Sequence, residues 1–167
     1  AHMAGADGAT WILPTDIDEF VYACDGRTLA ETLGDCPHEK LYARMFQHLD
    51  WNTRYVEPKR LFKVAYRYSQ SANVSMGNRE VNLGGGEFGV IDLREMQFRS
   101  FEHYKAKVAK NLATLDPVER ALGNGAHYAW LENKGAEELR QQWEILISVP
   151  MIADPIPSHF RNTGSLL

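Results

Sequence analysis

The sequence predicts an α+β fold: a single domain built on a central antiparallel sheet with helices packed against it. Segments with period-two hydrophobicity cluster in the middle of the chain, segments with helical spacing lie on either side, and no βαβ alternation runs through it. A length of 167 residues suits one domain, and 44% hydrophobic with 24% charged residues is close to globular averages.

Residues 1–10 are small and Gly/Ala-rich and are expected to be loose. They open on Ala1-His2-Met3, which reads as a cloning remnant. Ile17, Phe20 and Val21 have helical spacing, while Phe20-Val21-Tyr22 equally suits the start of a strand. Thr28 and Glu31 stand in capping-box spacing ahead of Gly34, the pattern of a short helix. Leu41, Tyr42, Met45, Phe46 and Leu49 recur on one helical face and predict a helix near 38–50.

The period then changes. Phe62, Val64, Tyr66 and Tyr68 alternate with Lys63, Ala65, Arg67 and Ser69, predicting a strand near 61–69 with a basic outer face. A second strand is expected at 79–83 and a third at 87–98, where Gly89, Ile91 and Leu93 oppose Phe88, Val90 and Asp92. Ser100 caps a helix at 101–115, stepped by Phe101, Tyr104, Val108, Leu112 and Leu115. Asp116, Pro117 and Glu119 open another at 117–122, ended by Gly123. Residues 126–131 suit a further strand. In "AEELRQQWEILISV" helix formers run into alternating Trp143, Ile145, Ile147 and Val149, predicting a helical turn or two followed by a strand at 143–149. Pro150, Pro155 and Pro157 predict that 151–167 is an extended arm on a body of 11–150.

Composition bounds the function. No apolar run approaches the roughly 18 residues of a membrane span, and no secretory signal is read, so a soluble protein with no membrane partner is expected. Cys24 and Cys36 are too few for a disulfide scaffold and read as reduced thiols of a cytoplasmic protein; a bridge between them is the periplasmic alternative. The net charge of −4 implies no partner by itself. Its distribution says more: nine acidic and three basic residues in 1–50, six and eleven in 51–110, seven and four in 111–167. The middle of the chain is a basic island between acidic flanks.

Gly84, Gly86 and Gly89 in "LGGGEFGVI" fit G-x-G-x-x-G, the spacing of phosphate-cradling loops. A protein kinase would follow it with a strand lysine, H-R-D and D-F-G, none of which is present, and a dinucleotide fold would open a helix at the third glycine. Here Gly89 leads into Val90-Ile91-Asp92-Leu93, a strand pattern, so the glycines are read as the turn of a hairpin between 79–83 and 87–98, with Gly89 marking a bulge or a close backbone contact. Cys24, Cys36, His38 and His48 lack the tight cysteine pair of a zinc site, and no metal or cofactor is assigned. No G-x-S-x-G elbow occurs, and Cys36 near His38 and Glu39 reads as the entry to a helix.

Elimination leaves a non-catalytic domain that binds another protein, of the kind used in bacteria for toxin neutralisation or as an assembly accessory. Its expected contact residues are Trp51, Tyr55, Arg60, Lys63, Arg67, Tyr128 and Trp130. The alternative is a small-molecule enzyme or ligand-binding domain with a pocket around His127, or using His103. A third reading, a nucleic-acid binder, would use the basic 54–67 segment with its interleaved Tyr55, Phe62 and Tyr66.

Overall fold

The structure, a computed structural model, describes residues 8–156 apart from 115 and 124. The expected loose N-terminus and Pro-containing arm therefore lie largely outside the described residues. The fold is α+β, and its main sheet is mixed and mostly antiparallel. The chain divides into two compact units, one of residues up to Gln47 and Tyr55–Met96, the other of His48–Arg54 and the residues from Gln97 onward.

The first unit holds a five-stranded sheet in the order β1 (Trp11–Ile12), β5 (Phe62–Arg67), β3 (Lys40–Gln47), β6 (Glu87–Glu95) and β2 (Glu19–Ala23). Among the described strands of this sheet only β3 and β6 pair in parallel. The helix expected at 38–50 is β3. Leu41, Ala43 and Met45 alternate into one apolar cluster with Ala65, Ile91 and Leu93, while Tyr42 and Phe46 point to the other face. With Leu41 and Met45 on one face and Tyr42 and Phe46 on the other, two i, i+4 pairs offset by one residue imitate a helical stripe. Helix α1 (Leu29–Asp35) covers the first cluster with Leu29 and Leu33, and Thr28 and Glu31 form the expected reciprocal cap.

The strand expected at 79–83 is not part of the sheet. Gly77 and Asn78, both at positive φ, reverse the chain so that Val81 makes an isolated bridge to Val74. Val81 is buried there with Val64 and Tyr66 in a cluster on the second sheet face. The expected hairpin across Gly84–Gly86 is therefore absent: those glycines lead into β6, whose neighbours are β3 and β2. Gly89 does mark a bulge. Tyr42 opposes Phe88 and Arg44 opposes Asp92, so three residues of β6 stand opposite Ala43, with Gly89 at φ +84°. An added Cβ at Gly89 would touch nothing within 4 Å, which excludes the close-contact alternative.

In the second unit, α2 (Phe101–Thr114) and α3 (Pro117–Ala121) follow the predicted helices. Residues 126–131 contain a one-turn helix, α4 (Ala126–Ala129), in place of a strand. The strand expected at 143–149 is the second half of α5 (Ala136–Ile147). Leu139, Trp143 and Leu146 lie on one helical face and pack with Tyr104, Val108 and Leu131, which outweighs the alternation of Ile145 and Ile147. Residues 151–153 form β7 (Met151–Ala153), paired with β4 (Thr53–Tyr55). The chain then stays docked through Ile156, whose side chain is buried and whose N–H donates to the Trp51 carbonyl at 2.8 Å.

Candidate functional site

The second face of the main sheet carries the most distinctive chemistry in the first unit. Register places Tyr22, Asp92, Arg44 and Phe62 in one row across β2, β6, β3 and β5, with Phe88 and Tyr42 in an adjacent row. Period-two geometry sends these side chains to the face opposite Leu41, Ala43 and Leu93.

Three rings meet there. Tyr42 stacks on Phe88 with centroids 4.8 Å apart, Phe62 meets Tyr42 edge-on at 5.0 Å, and Phe62 meets Phe88 edge-on at 5.6 Å. These are favourable quadrupole geometries, so the cluster is fixed as a unit. It is not covered: Phe88 is 47% exposed.

An ion pair stands at each end of the cluster. At one, Lys40 Nζ donates to Glu80 Oε1 at 2.7 Å and to the Leu83 carbonyl at 2.9 Å, while the Tyr42 hydroxyl donates to Glu80 Oε2 at 2.8 Å. These hydrogen bonds from Lys40 and Tyr42 hold the Glu80 carboxyl below the ordinary glutamate range. At the other, Arg44 grips Asp92 with two bonds, Nε to Oδ1 at 2.8 Å and Nη2 to Oδ2 at 2.6 Å. The exposed partner differs between the two pairs. Glu80 is 51% exposed over a 7% exposed Lys40, whereas Arg44 is 45% exposed over a 6% exposed Asp92. Solvent thus meets an anion, a patch of rings and a cation in turn.

Cys24 lies beside the Arg44–Asp92 pair. Cys24 is exposed, yet desolvation of its thiol, then the charge and hydrogen bond of Asp92, push it up to about 11. It is held protonated and is a poor nucleophile. Cys36 is buried, and no disulfide links the two.

The residues expected to form the contact surface are distributed over both units. In the first, Tyr55 is half-buried and Arg60 exposed. Lys63, expected on a basic outer face, is instead buried, 3.0 Å from Asp16 and 3.2 Å from Glu19. It shares its sheet face with Ala65, so the strand alternates as expected while its polar side points inward. Burial raises the Glu19 carboxyl despite that lysine. Arg67 is also turned inward, donating to the carbonyls of Cys36 at 2.5 Å and His38 at 3.3 Å and lying over the Trp11 ring. In the second unit, Trp51 is half-buried in the turn before β4. Tyr128 packs in the helical core and accepts from Gln97 Nε2 at 3.3 Å. Trp130 is exposed beneath the Lys134 ammonium, 4.6 Å from its ring centroid.

Of the candidate catalytic histidines, His103 is half-buried on α2. The backbone of His127 belongs to α4, and its side chain lies outside the described residues. A cavity of about 290 Å³ opens in the first unit beside α1. Four of its lining side chains are committed to one another: Arg27 bridges Asp25 at 2.8 Å and Asp35 at 2.6 Å, and Thr32 donates to Asp25 at 2.9 Å; Cys36 and His38 line it as well. Among the described residues no group of three or more His, Cys, Asp and Glu is placed to hold a metal ion. No described helix is long and apolar enough to cross a membrane.

Sequence reasoning offered Phe62 only as part of the basic 54–67 segment and missed its partners: a helix at 38–50 sends Tyr42 into a core, and the pairing that brings Phe88 beside it is not local. The available signal was Lys40-x-Tyr42-x-Arg44-x-Phe46, alternating as regularly as the strand at 62–67. No family model, curated protein or solved structure matches the chain.

Proposed function

We propose that the protein is a non-catalytic protein-binding domain whose contact surface is the ring face of Tyr42, Phe62 and Phe88. The observation that carries this reading is the fixed, half-exposed ring cluster standing between two ion pairs. Protein contact surfaces concentrate aromatic side chains and arginine at their centre and charged, hydrated groups at their rim. Rigid rings bury large area for little lost rotamer entropy, which suits them as anchors. The low nucleophilicity of Cys24 and the mutual neutralisation around the α1 cavity favour recognition over turnover at these places. Toxin neutralisation or an accessory role in assembly are the kinds of task such a surface serves.

The test is affinity capture from the native host with the wild-type chain and with Phe88→Ser, followed by titration of the captured protein in purified form. The reading expects one stoichiometric partner whose affinity falls at least about tenfold in Phe88→Ser, since truncating a central aromatic anchor costs about 2 kcal/mol or more. A partner bound equally well by Phe88→Ser, folded by circular dichroism, would move the contact surface elsewhere.

A further inference from the structure

We propose that in the free protein the ring face is occupied by a second copy of the same chain. The two copies would be related by a two-fold axis through the ring cluster. This rests on the reading of that face as the contact surface, and the argument is one of charge complementarity. Lys40 and Arg44 are four residues apart on β3, about 13 Å of strand, with Tyr42 between them. Through its partner, each turns a different sign to solvent: Glu80 over Lys40, and Arg44 itself over Asp92.

A patch that reads anion, rings, cation is complementary to itself turned end for end. A two-fold rotation sets Glu80 of each copy against Arg44 of the other and Phe88 against its own counterpart. Closed two-fold interfaces need this property, residue i meeting j while j meets i. A partner of single-sign charge would meet one favourable end and one unfavourable end. Self-association covers the exposed rings until a heterologous partner displaces one copy, so dimer and complex compete for the same face.

Sedimentation velocity from about 1 µM to 0.5 mM reads the outcome, because a small face of this kind suits micromolar affinity. Wild type is expected to pass from monomer to dimer across that range, and Phe88→Ser to raise the dimer dissociation constant at least about tenfold. Arg44→Glu and Glu80→Lys are each expected to weaken dimerisation, and their equimolar mixture to restore it, since each mixed contact then pairs opposite charges. Should Arg44→Glu not fold beside Asp92, Phe88→Ser and Glu80→Lys still decide the matter. Wild type that stays monomeric throughout, or a dimer indifferent to both of those substitutions, overturns the inference. A monomer whose captured partner is still lost in Phe88→Ser rejects the dimer and keeps the proposed function. A dimer broken by Phe88→Ser with partner capture intact does the reverse.

Discussion

Gly86 and Gly89 lie three residues apart, both at positive φ, and they do different work. Gly86, at φ +147°, runs so close beneath β3 that an added Cβ would stand 2.5 Å from Tyr42 Cε2 and 3.0 Å from Lys40 Cε. Gly89 sits in the bulge with open space around it. Alanine at Gly89 therefore meets only left-handed backbone strain, about 1–2 kcal/mol. At Gly86 it must also displace the Tyr42 ring, adding about 1–3 kcal/mol of overpacking. Urea unfolding of the two variants should rank Gly86→Ala as the more damaging, and the reverse order would contradict the contact with Tyr42. The same stretch of chain holds Cys24 through the bond from its N–H to the Val90 carbonyl at 3.0 Å. With its thiol pushed to about 11 in place of an ordinary 9.0, the thiolate is some hundredfold scarcer at pH 8. Site-resolved mass spectrometry of iodoacetamide labelling should find Cys24 slow at pH 8 and accelerating through pH 10, and faster in Asp92→Asn. Rapid labelling at neutral pH would show an activated thiol and reopen catalysis.

Elements were legible where one local signal stood alone. Helix α1 is short, yet Thr28 and Glu31 identify it because a reciprocal cap satisfies two otherwise orphaned backbone donors. Thr28→Ala should cost about 1 kcal/mol in thermal or chemical unfolding. An unchanged stability would mean that burial of Leu29 and Leu33 holds the helix without its cap. Helices α2 and α3 were equally clear from Ser100, Asp116 and Pro117, and β5 from its alternation. Failures came where two patterns overlapped. In β3 large apolar side chains stand on both faces, Leu41 and Met45 on one and Tyr42 and Phe46 on the other, so two i, i+4 pairs offset by one residue imitate a helical stripe. In α5 the alternation of Trp143, Ile145 and Ile147 is genuine but empty: Ile145 is 60% exposed, and the packed face is set by Leu139, Trp143 and Leu146. The ring face became visible only with β3 and β6 side by side, a parallel pairing that no local pattern announces.

Across the whole molecule, the segregation of charge along the chain becomes neutralisation in space. The basic island between residues 51 and 110 draws carboxylates from its acidic flanks: Lys63 takes Asp16 and Glu19, and Arg54 takes Asp154 at 2.8 Å. Within the island Lys59 pairs with Glu95, and Lys105 with Glu102 at 2.9 Å. Arg67 spends its guanidinium on main-chain carbonyls, and the buried Arg94 lies over the Tyr22 ring. A single-strand binder needs cations facing solvent beside its stacking rings, and here most of the cations that prompted that reading face other groups of the same chain. The expected outcome is that a labelled oligonucleotide shows no saturable anisotropy change below about 100 µM protein at low salt. Charge reversal is informative only at exposed Arg60, because reversing Lys63 or Arg67 would strand buried partners and unfold the sheet before any ligand was lost. Saturable binding that weakens with salt, and weakens further in Arg60→Glu, would show that enough positive field escapes these pairings to hold phosphates, and would restore the nucleic-acid reading over the one argued from the rings.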